Sequence, residues 1–419
     1  MLAGLLLVGA EGGSCVAYRM LNSHGFSYAE LQQKRGLLSG ELEAFSVLSQ
    51  EQQTEWQRSH VLHPFLGYVR HPTEADTESR LGVTEFGFID AQVPLLKRNP
   101  KHFIVGLFGG SVATFLFADA GDRLRERLST MPGVAGRKVE LLNLSLPGYK
   151  QPQQLMALTY LQSLGAEFDL VLNLDGFNEV SMHQFQQRQV PYPPYPKKWF
   201  AMTQAGTDPE LLPFMARITY LRDGRRQWAA AFQGMLGRSV SANLLWSVRD
   251  QQLARDLAEA QQHMADYEPD AAPYESIGPR WKAETPEETF EFLVDLWRRS
   301  SEQMQALCTA QDTLYLHFLQ PNQYVPDSKP MGTEEQSVAV LEQHPYRFSV
   351  QQGYPLLQAE GAGLQLAEVA FHDLTQVFRE VQEPIYIDTC CHINPRGSTL
   401  VAEAMADHIQ QALQARESR

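Results

Sequence analysis

Cysteine is scarce in this chain. Four occur in 419 residues, at positions 15, 308, 390 and 391, too few for a disulfide-stapled scaffold of this length. None stands in CxxC spacing, so neither a zinc site nor a dithiol redox motif is expected, and no metal or cofactor is implied. Cys390 and Cys391 are adjacent, which excludes an ordinary bridge between them; they are expected to serve as buried packing. Long apolar runs are also missing. The stretch "LAGLLLVGA" (2–10) resembles the core of an export signal, but it lacks a basic lead and is too short to span a bilayer. Residues 1–20 are read as a signal or anchor remnant. That reading puts the protein outside the cytoplasm, with membrane contact through the N-terminus alone; a cytoplasmic location is the alternative. Positive charge is in deficit, with 35 Lys and Arg against 49 Asp and Glu and a net charge of −14. Such a field repels phosphates and disfavours nucleic acid as a partner.

What is present is an ordinary globular mixture, 43% hydrophobic and 20% charged, able to bury a sizeable core. Residues 21–100 form a mixed lead-in. Strands and helices then alternate. "HFIVGLF" (102–108), "KVELLNL" (138–144) and "FDLVLNLDG" (168–176) are apolar runs of the kind buried on both faces of a parallel sheet. Amphipathic helices follow the first two. The pattern is interrupted over 181–311, read as a mainly helical insertion. It resumes at "TLYLHFLQP" (313–321), and "PIYID" (384–388) is expected as the last strand. The closing helix is expected to be capped by Asn394 with Pro395 at its first position. The predicted fold is α/β, with about five parallel strands in residues 101–180 and 312–416.

In an open parallel sheet, ligands bind beyond the carboxyl ends of the strands. Four such ends here carry chemistry: "GGS" at Ser111, "NLSLPGY" at Gly148, "DGFNE" at Asn178, and "DTCCHIN" with Asp388 and His392. A serine hydroxyl is a weak nucleophile and needs a base in hydrogen-bond reach, which His392 can supply. Asp388 can orient that imidazole. The amides of Ser111 and Gly148 and the side chain of Asn178 are candidate oxyanion donors. His183, Asn322 and Gln323 are expected to line the substrate pocket, and Tyr192, Tyr195, Trp199 and Phe200 to form an aromatic wall or a packed loop. The P-loop, dinucleotide and α/β-hydrolase elbow patterns are all absent.

These four blocks, in this order, resemble the SGNH hydrolases, also called the GDSL esterase/lipase superfamily. The resemblance covers about 105–180 and 312–412. It implies a flavodoxin-like three-layer sandwich, Ser111 as nucleophile, His392 as base and Asp388 as its partner, with Ser111, Gly148 and Asn178 as the oxyanion hole. The signature Gly-Asp-Ser-Leu reads Gly-Gly-Ser-Val here, so Gly110 lacks a supporting side chain and is expected beside the substrate. Gly-x-Asn-Asp becomes Gly-Phe-Asn-Glu, with Glu179 at the last position, and the closing Asp-x-x-His is matched by Asp388 and His392. The implied substrate is a small acyl ester, including an O-acetyl group on a glycan. The alternatives are a polysaccharide O-acyltransferase using the same site and a non-catalytic glycan-binding or assembly protein.

Overall fold

The structure is a computed structural model. It describes residues 2–22, 25–39, 59–72, 81–185, 192–197, 199, 202–203, 211–234, 236–265, 274, 278–279, 281–341 and 344–418. Helices α1 (Leu2–Asn22) and α2 (Tyr28–Ser39) come first, then a hairpin of β1 (His60–His63) and β2 (Gly67–Arg70). Next come β3 (His102–Gly109), α3 (Ser111–Ser129), β4 (Lys138–Asn143), α4 (Gln153–Ser163), β5 (Leu170–Asp175) and α5 (Phe177–Phe185). Two long helices, α6 (Leu211–Ala231) and α7 (Val240–Ala265), interrupt the alternation. It resumes with α8 (Pro286–Ala310), β6 (Leu314–Leu319), α9 (Thr333–Ala339), α10 (Pro345–Leu366), β7 (Ala370–Asp373) and α11 (Pro395–Glu417).

Strands β3 to β7 form one parallel five-stranded sheet in the order β4-β3-β5-β6-β7. Helices α3 and α11 cover one face, and α4, α5, α8 and α10 cover the other. This is the flavodoxin-like three-layer arrangement. Every residue of β5 is buried, as is every residue of β3 after His102, which explains why both read as unbroken apolar runs. The chain turns back between β3 and β5, so the carboxyl end of β3 lies at the topological switch point where such sheets hold ligands. Helix α3 presents Val112, Ala113, Leu116, Phe117, Ala120, Leu124 and Leu128 to the core. Burying a Leu or Phe in this way stabilises by about 1.5–3 kcal/mol each.

The fifth strand is not the expected one. Residues 384–388 make only an isolated bridge, Tyr386 to Ile393. The sheet edge is instead β7, whose sequence "AFHD" alternates in burial and ends in two polar residues. So short an edge strand carries little periodic signal, and α10 leads into it after three residues. The expected start of the last helix is found: Asn394 caps α11, its side chain accepting from the Gly397 N–H at 2.9 Å, with Pro395 next.

The chain divides into two units. One comprises 1–55 and 203–276, the other 56–202 and 277–419. In the first, α1 packs on α7 and α2 on α6, and Tyr18, Leu31, Phe232 and Trp246 share a small core. The Glu11 carboxylate accepts from the Ser239 hydroxyl at 2.7 Å. The region read from sequence as a lone signal remnant thus packs with the interrupting helices. Helix α8, expected in the insertion, instead belongs to the sheet unit and rests on β6 and α10; its buried stripe includes Phe290, Leu293, Trp297 and Met304. Residues 40–58 and Phe200, also covered by the sequence reading, lie outside the described residues. Among the described residues, no helix is long and apolar enough to cross a membrane.

On the α11 side of the sheet, the His372 and His408 rings stack at 4.0 Å. Burial and the neighbouring His408 push His372 from 6.5 down to about 4. Between those two values the unfolded chain binds the proton and the folded chain does not, so stability falls as pH drops through that window. His372→Phe keeps a ring against Phe318 and removes this titration. The expected result is a shallower acid-side loss of stability, read by urea unfolding at several pH values.

Candidate active site

A serine at the start of a helix can cap it with its hydroxyl or leave that hydroxyl free to react. Gly110 is the N-cap of α3, with no side-chain cap, and Ser111 is the first helical residue. Its hydroxyl is therefore not used as a cap. Instead Ser111 Oγ lies 2.8 Å from His392 Nε2, and His392 Nδ1 lies 2.5 Å from Asp388 Oδ2. A carboxylate can only accept, so the proton on the imidazole sits on Nδ1, and Nε2 offers its lone pair to the serine. Ser111 is partly exposed, and the His392 side chain keeps 22% of its surface open.

Asp388 and His392 are separated by Thr389, Cys390 and Cys391. The spacing is therefore Asp-x-x-x-His, one residue longer than the Asp-x-x-His to which it was matched. The longer turn closes because Asp388 Oδ1 gathers the backbone N–H groups of Cys390, Cys391 and His392 at 2.9, 3.1 and 3.3 Å. Burial alone would raise the Asp388 carboxyl. The His392 charge and hydrogen bond, with the amides of Cys390 and His392, outweigh it and hold the group below its ordinary range.

Asn322 and Gln323 do not line a pocket. Both are buried, and their amides bind the 388–392 turn: Asn322 Nδ2 donates to the Cys390 carbonyl at 3.0 Å and Gln323 Nε2 to the Asp388 carbonyl at 2.9 Å. The Tyr324 hydroxyl adds a bond to the Thr389 carbonyl at 2.9 Å. One step upstream, Glu335 Oε1 accepts from the amides of Ile385 and Tyr386, each at 2.8 Å. Its other oxygen pairs with Lys329 at 2.7 Å, both side chains being essentially inaccessible. No sequence signal marks this pair, because neither residue stands at a strand end.

The oxyanion candidates converge around Gly110. Asn178 Nδ2 donates to the Tyr149 carbonyl at 2.7 Å, which leaves its second amide hydrogen unspent. A Cβ on Gly110 would lie 2.3 Å from that nitrogen and 3.2 Å from the Tyr149 carbonyl oxygen. Gly110 therefore makes room for Asn178, a structural reason for Gly-Gly-Ser in place of a substrate contact. Gly148 has φ +83, a backbone conformation suited to glycine. The N–H groups of Ser111 and Gly148 donate to no acceptor among the described residues. The start of α3 adds the positive end of a helix dipole at the same place. Lys197 runs alongside Gly148: a Cβ there would meet its Cδ at 2.6 Å.

Glu179, at the position of the expected aspartate, ties the Gly148 loop to α5. It accepts from the amides of Gln151 and Gly176 at 3.0 and 2.8 Å. Burial, with Asp175 nearby, raises its carboxyl to about 8. The adjacent Lys150 is buried, which lowers it to about 7, and its ammonium donates to the Pro193 carbonyl. Burial and the charge of Lys150 lower His183, expected to line the pocket, to about 4. Tyr192, Tyr195 and Trp199 make successive edge contacts, at 5.5 and 5.9 Å between centroids.

A second Ser–His–Asp chain lies inside the same unit. Ser301 Oγ is 2.8 Å from His317 Nδ1, and His317 Nε2 is 2.8 Å from Asp175 Oδ1. Asp175 also accepts from Trp297 Nε1 at 2.7 Å. All of these side chains are buried, so this chain joins β5, β6 and α8 and has no access to substrate. Cys390, Cys391 and His392 place ligand-type atoms within 4.8 Å of one another, but both imidazole nitrogens are already engaged by Ser111 and Asp388. No protein-family model matches the chain, and no curated protein matches it in sequence.

Two variants test this construction. Lys329→Met strips Glu335 of its buried partner and is expected to cost roughly 3–5 kcal/mol in urea unfolding. Gly110→Ala pushes Asn178 out of place. Serine labelling by a fluorophosphonate is then expected to slow roughly a hundredfold, and the overpacking to lower stability by about 1–3 kcal/mol in urea unfolding.

Proposed function

We propose that this protein is a serine-dependent ester hydrolase acting on small acyl esters, with O-acetyl groups on glycans as the substrate class. The observation that carries the reading is the partly exposed Ser111–His392–Asp388 relay at the sheet's switch point. In the proposed cycle, His392 Nε2 takes the Ser111 proton as Oγ bonds to the ester carbonyl carbon. The resulting imidazolium is stabilised by Asp388 through Nδ1–H. The carbonyl oxygen, now negative, accepts from the N–H groups of Ser111 and Gly148 and from Asn178, donors fixed before substrate arrives. His392 returns the proton to the leaving alcohol, and the ester bond breaks. Water, deprotonated by the same imidazole, then attacks the acyl-enzyme and frees Ser111.

The contrast with the Ser301 chain supports this assignment. The side-chain types are the same, but only the Ser111 set is open to solvent and flanked by unspent N–H donors.

The test is turnover of p-nitrophenyl acetate together with fluorophosphonate labelling. Ser111→Ala is expected to abolish labelling and cut turnover by roughly 10⁴-fold or more. Asp388→Asn, which no longer enforces the tautomer, is expected to lose roughly 10²–10⁴-fold in kcat with a small change in KM. Labelling that maps to Ser301, or activity that survives Ser111→Ala, overturns the assignment. Neither turnover nor labelling would favour a glycan-binding role. Product analysis with an added oligosaccharide distinguishes water from a sugar hydroxyl as the acyl acceptor.

A further inference from the structure

The turn that carries the proposed base also carries two thiols in contact. Cys390 Sγ and Cys391 Sγ lie 3.2 Å apart. Cys391 is buried, whereas Cys390 is partly exposed. The single peptide bond between these residues is engaged at both ends. Its carbonyl, from Cys390, accepts from Asn322 Nδ2 at 3.0 Å. Its N–H, from Cys391, donates to Asp388 Oδ1 at 3.1 Å. The next residue is His392 itself.

We propose that Cys390 and Cys391 form an oxidation site for peroxide-class oxidants, and that closing them into a vicinal disulfide reversibly disarms Ser111. The inference rests on the hydrolase reading for its catalytic consequence. The chemistry balances within the pair and the oxidant. The Cys390 thiolate sulfur attacks one peroxide oxygen, the O–O bond breaks, and Cys390 becomes a sulfenic acid while the other oxygen leaves as water. Cys391 sulfur then attacks the Cys390 sulfur, the S–O bond breaks, and a second water carries off the Cys391 thiol proton. The two thiols together lose two electrons and the peroxide gains them. Cys391 needs no access to solvent for its step, because its target is already in contact.

The coupling to catalysis is geometric. Disulfides ordinarily join residues whose Cα atoms are about 4.4–6.8 Å apart, but neighbours across a trans peptide are held near about 3.8 Å. Drawing the sulfurs to bonding distance, about 2.05 Å, therefore requires the intervening peptide to turn. Turning it withdraws the Cys391 N–H from Asp388 Oδ1 and the Cys390 carbonyl from Asn322. The carboxylate loses part of the amide set that aims its other oxygen at His392 Nδ1, and His392 moves with the chain. A dithiol reductant reopens the ring and restores the turn.

The experiment compares the full-length protein reduced, treated with hydrogen peroxide, and treated then reduced with dithiothreitol. Peptide mapping is expected to find the 390–391 peptide lighter by two hydrogens after oxidation. Fluorophosphonate labelling of Ser111 is expected to slow roughly a hundredfold or more and to recover on reduction. Within each of Cys390→Ser and Cys391→Ser, labelling before and after peroxide is expected to be equal, whatever its starting rate. A link that forms without slowing the label overturns the proposal. So does a loss of labelling without the link, or one that persists in Cys390→Ser. If reduced protein never labels Ser111, the hydrolase reading fails instead. The His392 imidazole resonances in nitrogen-15 NMR then still decide the switch: displacement on oxidation upholds it, and unchanged resonances overturn it.

Discussion

The two oxygens of Asp388 divide the labour on which the site depends. Oδ1 folds the turn by collecting three backbone amides, and Oδ2 fixes the imidazole. A carboxylate that served only His392 would leave a tight turn of N–H groups without partners, and a carboxylate that served only the turn would leave the ring free to rotate. Because one group does both, the backbone geometry of residues 388–392 and the protonation pattern of the histidine are a single property. The contact from His392 to Ser111, across most of the chain, follows once α3 and the turn before α11 are each held in place.

A polar frame holds the turn, beside the apolar packing of Ile385, Cys391 and Ile393 in the core. Asn322, Gln323 and Tyr324 each take a carbonyl from residues 388–390, and Glu335 takes the two amides before them. Buried polar groups of this kind stabilise only when each finds its partner, since an unpaired one carries the full cost of leaving water. That dependence specifies one arrangement of the turn. The Lys329–Glu335 pair adds the same logic with charge. Its value lies in where it puts Glu335 more than in its attraction, because two ions removed from water gain little net from each other.

Much of this was legible in the sequence, and the limits have physical causes. The runs at 102–108, 138–144 and 168–176 became strands because burial on both faces leaves an unbroken apolar signature. Ser111 was legible because it follows β3 at the carboxyl edge of the sheet; Asp388 and His392 reach the same rim without a sheet strand before them, on a turn held by Asn322, Gln323 and Tyr324 just beyond the carboxyl end of β6. β7 was missed because four residues at an edge carry almost no periodicity. Asn322 and Gln323 were placed on the correct rim but given the wrong role: sequence shows which edge an amide occupies, not whether its hydrogen bonds go to a ligand or to a neighbouring loop. Gly110 was read the same way, and only the approach of the Asn178 side chain reveals what its missing Cβ accommodates. The extra residue between Asp388 and His392 shows that a motif's spacing can stretch when the carboxylate finds additional amides to hold.

The buried chain of Ser301, His317 and Asp175 carries a wider consequence. It uses the same three side-chain types as the surface set with the imidazole reversed: Ser301 meets Nδ1 and Asp175 meets Nε2, where Ser111 meets Nε2 and Asp388 meets Nδ1. The two differ in what stands over them: Trp297 and its neighbours fill the volume an acyl group would need. Trimming that packing, with no new polar residue, would open the buried set to solvent. Conversely, infilling above Ser111 would turn the exposed set into one more internal brace.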